Sequence, residues 1–374
     1  MRTPALFSLA LTSALAAACD DDLELVDADE PVAFRCGIPC VNSPYLGSYD
    51  ITNLTYRHGF ESVSPDGEHS MSWTGTKSGA TISAINVTVD GTATVSLSTG
   101  STVPIVGSRL DLVVNYGGTT TNGKVWFAGV TTEPGDEDDS FTVTRYDIRT
   151  NVYPGPAHEF VGTEKDPWWT VCPANVHGSN MAVLLSDTHA DSIADGSIGW
   201  VNYDYTEFAI ACDGHSLAKG VTELNVVPRS GHARSYGYDH YSSLMQGWQA
   251  VFQGQSRTFL GAPVGVVDTA HSPPLFHTLG PIPLPPPIIG QYQWVLESVY
   301  KDTGTATRGA RCKFTGNAYR LQGEHRNSAY DPPVAQIAGW SSLPECSGNL
   351  SQYGDVAFYS VAHIIFQQGG GGGS

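Results

Sequence analysis

Apolar and small polar residues alternate along much of the chain from residue 48 to residue 149. The segments 81–89, 92–98 and 110–116 mostly repeat apolar residues with a period of two, which is the side-chain period of a strand with one buried face. A Gly-rich connection links the segment 110–116 to another such segment at 124–130, as in a β-hairpin. This part of the chain therefore predicts a series of antiparallel strands.

The pattern changes in the second half of the chain. Short apolar runs at 181–185 and 207–212 predict buried strands, and the run 356–366 is the most β-prone of the sequence. Apolar residues in the segment 239–253 instead follow the i, i+3, i+4, i+7 spacing of an amphipathic helix, and Asp239 can cap its start. We therefore expect a mainly β fold, α+β at most: an antiparallel β-rich sandwich or barrel-like core with one helix near 239–253, stabilised by disulfides.

Composition divides the chain into segments of different character. Proline crowds the stretch 272–287, where it removes backbone donors and holds the chain extended, which predicts a stiff connector. The expected organisation is a signal peptide (1–18), an acidic tether with a Cys36/Cys40 loop (19–44), a β-rich core domain (45–262), a proline-rich connector (263–290), a C-terminal β segment that packs on the core or forms a small second domain (291–367), and a flexible Gly-rich tail (368–374).

The first residues have the features of a secretory leader. Arg2 supplies a positive start, and the apolar stretch that follows it is about fifteen residues long, too short for an ordinary membrane span. Ala16 and Ala18 form a small-residue cleavage site, so that Cys19 becomes the first residue after cleavage. A cysteine at this position predicts the lipid-carrying thiol of a bacterial lipoprotein, and plain secretion after the same cleavage is the alternative.

The charge of the chain restricts its partners. It carries 37 acidic and 19 basic residues, a net charge of −18, which disfavours binding to nucleic acid or to an anionic membrane surface. Membrane contact is therefore expected through the N-terminal lipid alone, and an envelope protein or a glycan is the expected kind of ligand. The sequence has no phosphate loop, dinucleotide motif or basic stripe, so that no cofactor is expected. The expected location is extracytoplasmic: an outer-membrane or cell-surface lipoprotein, or a secreted protein.

The cysteines agree with an oxidising compartment. The chain has seven, and with Cys19 carrying lipid an even number remains for disulfide pairing. The spacing alone does not choose among the pairings. A redox or zinc site at Cys36 and Cys40 is the alternative to a disulfide, but their spacing differs from Cys-x-x-Cys and no histidine lies nearby in the sequence.

The segment 214–218, Gly-His-Ser-Leu-Ala, is close to the Gly-x-Ser-x-Gly turn in which α/β-type serine hydrolases expose their nucleophile. A strand candidate at 208–212 precedes Ser216, as this arrangement requires. The residues after Ser216 are weak helix formers, and the alternation upstream lacks the β–α–β rhythm of a parallel sheet. A plain turn without a nucleophile is therefore the alternative. Residues available to complete a triad are Asp239 or Asp268 with His271, His277, His325 or His363.

Asp187, His189 and Asp191 have the residue types and the period-two spacing of a metal site on one face of a strand. Two oxygens and one nitrogen suit zinc or manganese, and a polar loop is the alternative interpretation. The acidic segment 133–139 is either a calcium loop or a solvated loop, and it lacks the residue order of an EF-hand.

Aromatic clusters are the remaining candidate binding residues. Trp168-Trp169 and the group Tyr236, Tyr238 and Tyr241 offer rings on which a sugar can stack, and burial in the core is the alternative use. An exposed row of Trp or Tyr would indicate carbohydrate binding.

The segment from 147 to 225 and a later stretch contain a series of short motifs. These are Trp169, Cys172-Pro173, Gly178 with 181–185, the strand 208–212 and Ala218-Lys219, followed by Glu297, Gly309-Ala310-Arg311-Cys312 and Pro344-Glu345-Cys346. Together they resemble the ADYC domain of myxobacterial lipoproteins, which has a Trp, a Cys-Pro pair, a Gly before an apolar run, a Phe-x-x-x-Cys strand and an Ala-Lys pair. The chain is a divergent case, since it lacks the Ala-Asp-Tyr-Cys name motif.

The resemblance implies a cell-envelope lipoprotein without an assigned activity. It also implies disulfides between Cys172 and Cys212 and between Cys312 and Cys346, which leaves Cys36 with Cys40. The expected function is a non-catalytic structural or binding module of the cell envelope with an unknown ligand. A serine hydrolase that uses Ser216 is the alternative, and a metal-binding or carbohydrate-binding protein is the second alternative.

Overall fold

In a computed structural model, the described residues belong to one compact unit, which covers residues 31–374. The predicted leader, Cys19, the Cys36/Cys40 loop and the Gly-rich tail lie outside the described residues. The structure describes residues 53–58, 62–63, 69–116, 118–134, 142–151, 153–154, 160–161, 168–172, 179–192, 199–228, 237–249, 251, 264–268, 275–279, 291–300, 309–313, 343–346 and 356–364.

Strands dominate the described part of the chain. They are β1 (Asn53–Thr55), β2 (Ser62–Val63), β3 (His69–Lys77), β4 (Ala80–Val87), β5 (Ala93–Leu97), β6 (Thr102–Pro104), β7 (Arg109–Tyr116), β8 (Thr119–Pro134), β9 (Thr142–Thr150), β10 (Tyr153–Pro154), β11 (Phe160–Val161), β12 (Trp169–Thr170), β13 (Met181–Ser192), β14 (Gly199–Cys212), β15 (Val264–Asp268), β16 (Leu275–Leu279), β17 (Gln291–Tyr300), β18 (Ala310–Lys313) and β19 (Val356–Ile364). The two helices of the described residues are α1 (Ser216–Leu224) and α2 (Tyr238–Trp248).

A 12-stranded sheet forms the main body of the fold. Its strand order is β1-β14-β13-β9-β8-β7-β3-β4-β5-β6, with β12 paired to β9 and β2 paired to β3. The strand pairs are antiparallel, and most neighbours in the sheet are also neighbours in sequence. The predicted fold class, mainly β with an antiparallel sandwich-like core, is confirmed.

Residues 182–185 of β13 and 208–212 of β14 are buried on both faces of the sheet. Val183 and Leu185 pack into the cluster that contains both helices, whereas Ala182 and Leu184 pack into a second cluster on the other face of the sheet. A strand with two buried faces needs apolar residues at every position rather than at alternate ones. This explains why the sequence shows unbroken apolar runs here and alternation elsewhere.

The sheet curls over the second cluster. The indole N–H of Trp73 on β3 donates to the carbonyl of Thr55 on β1 at 2.8 Å. Just beyond β1, the carbonyl of Tyr56 accepts a hydrogen bond from the N–H of Ile85 on β4 at 2.7 Å. One end of the sheet path, at β1, therefore meets β3 and β4, and the apolar side chains of the second cluster lie between them.

A second, 5-stranded sheet has the order β16-β15-β19-β17-β18. Strands β15 and β16 come from the segment 263–290, so the prediction of a connector does not hold for those residues. They form a strand pair in which Val264 is opposite Leu279, and β15 also pairs with β19. Prolines border these short β-prone segments rather than interrupting them, which leaves the segments able to form a ladder.

The second sheet packs against the helices. Val266 and Tyr300 belong to the same buried cluster as both helices, and the side-chain oxygen of Gln246 accepts a hydrogen bond from the N–H of Gly309 at 2.8 Å. These contacts connect residues of the C-terminal segment to the helices.

Helix α2 follows the predicted pattern and covers an edge of β14. It ends at Trp248 rather than at the predicted residue 253. The Ser242 hydroxyl accepts a hydrogen bond from the N–H of Val201 at 3.0 Å and donates to the carbonyl of the same residue at 3.2 Å. One side chain therefore replaces the missing neighbouring strand at this position of β14.

Helix α1 is absent from the sequence prediction. Gly220, Val221 and Thr222 are poor helix formers, which is why the segment was expected to lack a helix. All nine residues of α1 are nevertheless buried. Asn225, which follows the last helical residue, takes the left-handed conformation and caps the helix. Tertiary burial here outweighs intrinsic helix propensity.

Two disulfides are present in the described residues. Cys172 is bonded to Cys212, and Cys312 is bonded to Cys346. These are the two pairs that the ADYC resemblance implies. Structural disulfides are typical of oxidising compartments outside the cytoplasm. None of the helices in the described residues is long and apolar enough to span a membrane.

Candidate functional site

Ser216 has the chain order that a nucleophile turn requires, but not the exposure. Strand β14 ends at Cys212, Gly214 makes the turn at a φ of 78°, and α1 begins at Ser216. In a hydrolase turn the serine itself occupies the strained position and presents its hydroxyl to substrate. Here glycine takes the left-handed conformation, and Ser216 is 0% exposed.

The surroundings of Ser216 form a buried polar cluster between α1 and α2. Burial, and secondarily the charge of Lys219, lower the pKa of His215 to about 4. Lys219 is fully buried, 3.9 Å from the Glu223 carboxylate and 5.9 Å from the centre of the Trp248 ring. The ammonium of Lys219 and the carboxylate of Glu223 carry opposite charges, which offset each other in the interior. This cluster joins two helices, and it offers no exposed nucleophile.

The predicted triad partners lie in several places. Asp239 is exposed in the first turn of α2. Asp268 and His277 lie on β15 and β16, and His363 lies on β19. His271 and His325 lie outside the described residues.

Asp187, His189 and Asp191 lie on β13, but an irregularity breaks their common face. The register between β13 and β14 shifts between Ser186 and Thr188, and Asp187 has a φ of 49°. A residue in the left-handed conformation interrupts the alternation of strand faces. The assumption of three ligands on one strand face therefore fails.

His189 is paired with a carboxylate from the neighbouring strand. Its Nδ1 lies 2.6 Å from Oε2 of Glu207, whose side chain is 5% exposed. Within the described segments, no group of three His, Cys, Asp or Glu side chains could hold a metal ion. The metal hypothesis for Asp187, His189 and Asp191 has no support in this geometry.

Two tyrosines on β14 are the most exposed large hydrophobic side chains of the described residues. Tyr203 is 61% exposed and Tyr205 is 72% exposed. Between them, Asp204 accepts hydrogen bonds at 2.7 Å from the N–H of Thr206 and at 2.6 Å from its hydroxyl. This local turn fixes the backbone that carries both rings.

The same turn is supported from behind. The ring of Tyr238 lies 5.7 Å from that of Tyr203, and its hydroxyl donates to the carbonyl of Asp187 at 2.7 Å. The N–H of Asp187 in turn donates to the Tyr56 hydroxyl at 2.8 Å. Tyr203 and Tyr205 are therefore presented to solvent by a backbone that is hydrogen-bonded on several sides.

Most of the aromatic residues predicted to bind a ligand are used in packing. Tyr241 is fully buried, and its hydroxyl donates to the Leu217 carbonyl at 2.8 Å. Trp168 packs edge-on against Trp126, with 6.1 Å between the ring centres. Tyr236 lies outside the described residues. The exposed pair at 203 and 205 was missed, although the alternation Asn-Tyr-Asp-Tyr-Thr was visible in the sequence.

No family model, curated protein or solved structure matches this chain. The ADYC resemblance therefore stays a prediction.

Proposed function

We propose that this protein is a non-catalytic binding module of the bacterial cell envelope, attached to the membrane by lipid on Cys19. Complete burial of Ser216 is the observation that carries the non-catalytic part of the proposal. A hydrolytic nucleophile has to contact its substrate, whereas Ser216 belongs to a helix that is buried along its whole length.

The location rests on separate support. The two disulfides suit an oxidising compartment. The leader-like first residues and the cysteine after the small-residue cleavage site support lipid attachment, and the acidic residues that follow suit a hydrated tether. The ADYC resemblance is consistent with the same location.

We expect no covalent reaction when the protein is treated with a fluorophosphonate probe and its intact mass is measured. The probe needs an exposed, activated serine, and Ser216 has no exposed surface. Ser216→Ala is the matched control. A single adduct on the wild-type protein that disappears in this variant would show a serine hydrolase and overturn the proposal.

Carbohydrate is the ligand class that the surface favours. Aromatic rings that a rigid backbone holds in solvent bury large areas on binding while losing little conformational freedom. Tyr203 and Tyr205 have both properties, and the carboxylate of Asp204 lies between them in sequence. Aromatic faces stack on the C–H faces of sugar rings, and neighbouring polar groups bind hydroxyls.

Alanine at either tyrosine is expected to weaken glycan binding about tenfold or more, because each ring supplies contact area that alanine lacks. The measurement is binding to an array of neutral glycans, followed by calorimetric titration of the best ligand. Tyr203→Phe and Tyr205→Phe are the controls, since they keep the rings and should retain most of the affinity. Absence of glycan binding by the wild-type protein, or full binding by both alanine variants, would contradict this ligand class.

A further inference from the structure

Two arginines flank one tryptophan on the main sheet. Arg109 on β7 is directly opposite Trp126 on β8, and Trp126 is directly opposite Arg149 on β9. The guanidinium carbons of the two arginines lie 5.6 Å and 5.7 Å from the centre of the indole ring. The three side chains form a continuous row across three neighbouring strands, because opposite residues of an antiparallel pair lie on the same face.

The two arginines differ in the hydrogen bonds that their guanidinium groups make. Arg149 makes a two-point contact with the Asp147 carboxylate, with Nη2 at 2.7 Å and Nε at 3.1 Å from its oxygens. Arg109 is exposed, and in the described part of the chain its guanidinium contacts the Trp126 ring but makes no hydrogen bond or ion pair. Among the described residues, the charge of Arg149 is therefore compensated by a carboxylate, whereas Arg109 has no carboxylate partner.

The contact with Trp126 gives Arg109 the properties of a preorganised anion receptor. A guanidinium held beside an indole by a cation–π interaction is positioned without a hydrogen-bonding partner for its N–H groups. Its planar fork matches two oxygens of a carboxylate or phosphate. Thr76 on β3 is directly opposite Arg109 and is exposed, so that the neighbouring strand offers a hydroxyl donor on the same face.

We propose that Arg109, Trp126 and Thr76 form a binding site for a single carboxylate or phosphate group. The inference deepens the proposed binding role and does not depend on the tyrosine surface. The net charge of −18 repels extended polyanions, so the ligand is a small anion or a larger neutral molecule with one anionic group. Arg149, which is paired with Asp147, also contacts the Trp126 ring and helps to hold the indole in place.

The first test titrates the full protein with inorganic phosphate at constant ionic strength, followed by tryptophan fluorescence and calorimetry. We expect saturable binding in the millimolar range for the wild-type protein and at least fivefold weaker binding for Arg109→Gln. Arg57→Gln is the matched control, because it removes the same charge from another exposed position. Phosphate binding by this variant should equal that of the wild-type protein.

A second comparison separates the two arginines. Arg149→Gln should retain more affinity than Arg109→Gln, because the donors of Arg149 already bind Asp147. Non-saturable binding by wild type, or equal losses in the Arg57→Gln and Arg109→Gln variants, would overturn the proposal. Co-sedimentation with vesicles of phosphatidylglycerol and phosphatidylcholine then distinguishes the source of the anion: Arg109-dependent sedimentation in addition to saturable phosphate binding indicates a lipid headgroup, and saturable phosphate binding alone indicates a free anion. The fluorophosphonate result is independent of all these outcomes.

Discussion

Removal of the disulfide between Cys172 and Cys212 is expected to lower the free energy of unfolding by about 4 kcal/mol. The bond joins residues that are 40 positions apart. A loop of this length restricts the unfolded chain strongly, and most of the expected loss comes from restoring that freedom. Both cysteines are also fully buried in the cluster that the sheet encloses, so their replacement loses packing as well.

The double variant C172A/C212A tests this expectation without leaving a reactive thiol. Its thermal midpoint should fall by about 10 °C in calorimetry or circular dichroism. The double variant C312A/C346A is the comparison, because its loop of 34 positions is nearly as long while Cys346 is only partly buried. Because the loop lengths are similar, chain entropy alone predicts similar losses of stability for the two variants. The lost packing of Cys172 and Cys212 adds to the loss in C172A/C212A. A midpoint unchanged from wild type in C172A/C212A would contradict the prediction.

Elements whose local pattern and tertiary surroundings agree were predictable from the sequence. The apolar runs that became β13 and β14 are strands buried on both faces. The hairpin between β7 and β8 was also expected, although Tyr116 is paired with Thr119, so the turn is shorter than the Gly-rich connection suggested. The rest of that connection, which includes Gly123, extends along β8 because β7 supplies hydrogen-bond partners opposite it.

Elements that depend on distant contacts were not predictable. Helix α1 has a weak local helix signal and is stabilised by burial, and β15 and β16 lie in a segment whose composition is dominated by proline. In both cases the local pattern describes the isolated segment, whereas the structure reflects partners far away in sequence, such as α2 for α1 and β19 for β15.

The candidate sites show the same division. The order of strand, turn and helix around Ser216 could be anticipated only in part, and its burial could not, because burial depends on α2. The exposure of Tyr203 and Tyr205 arises from an irregular register in β14, which a period-two pattern does not contain. Arg109, Trp126 and Arg149 are separated in sequence and meet only through strand register.

Alanine in place of Gly220 is expected to destabilise the protein by about 2 to 3 kcal/mol, although alanine is the better helix former. A Cβ at this position would lie 2.6 Å from Oη of Tyr241 and closer still to the ring atoms Cζ and Cε2 of the same residue. Tyr241 is fully buried, and its hydroxyl is held by the Leu217 carbonyl at 2.8 Å, so the ring has no free space into which to move. The steric loss therefore exceeds the gain in helix propensity, which is about 1 kcal/mol.

Gly129→Ala is the control for this effect. A Cβ at Gly129 would meet the Cβ of Asp147 at 3.6 Å, an ordinary contact, so chemical denaturation should show little change for that variant. The sign of the change at Gly220 is the decisive measurement. Helix propensity alone predicts that Gly220→Ala raises the denaturation midpoint, and close packing of α1 on Tyr241 predicts that it falls. A raised midpoint would show that α1 and α2 do not pack at this distance, and the burial of Ser216 and Lys219 between the helices would then lose its support.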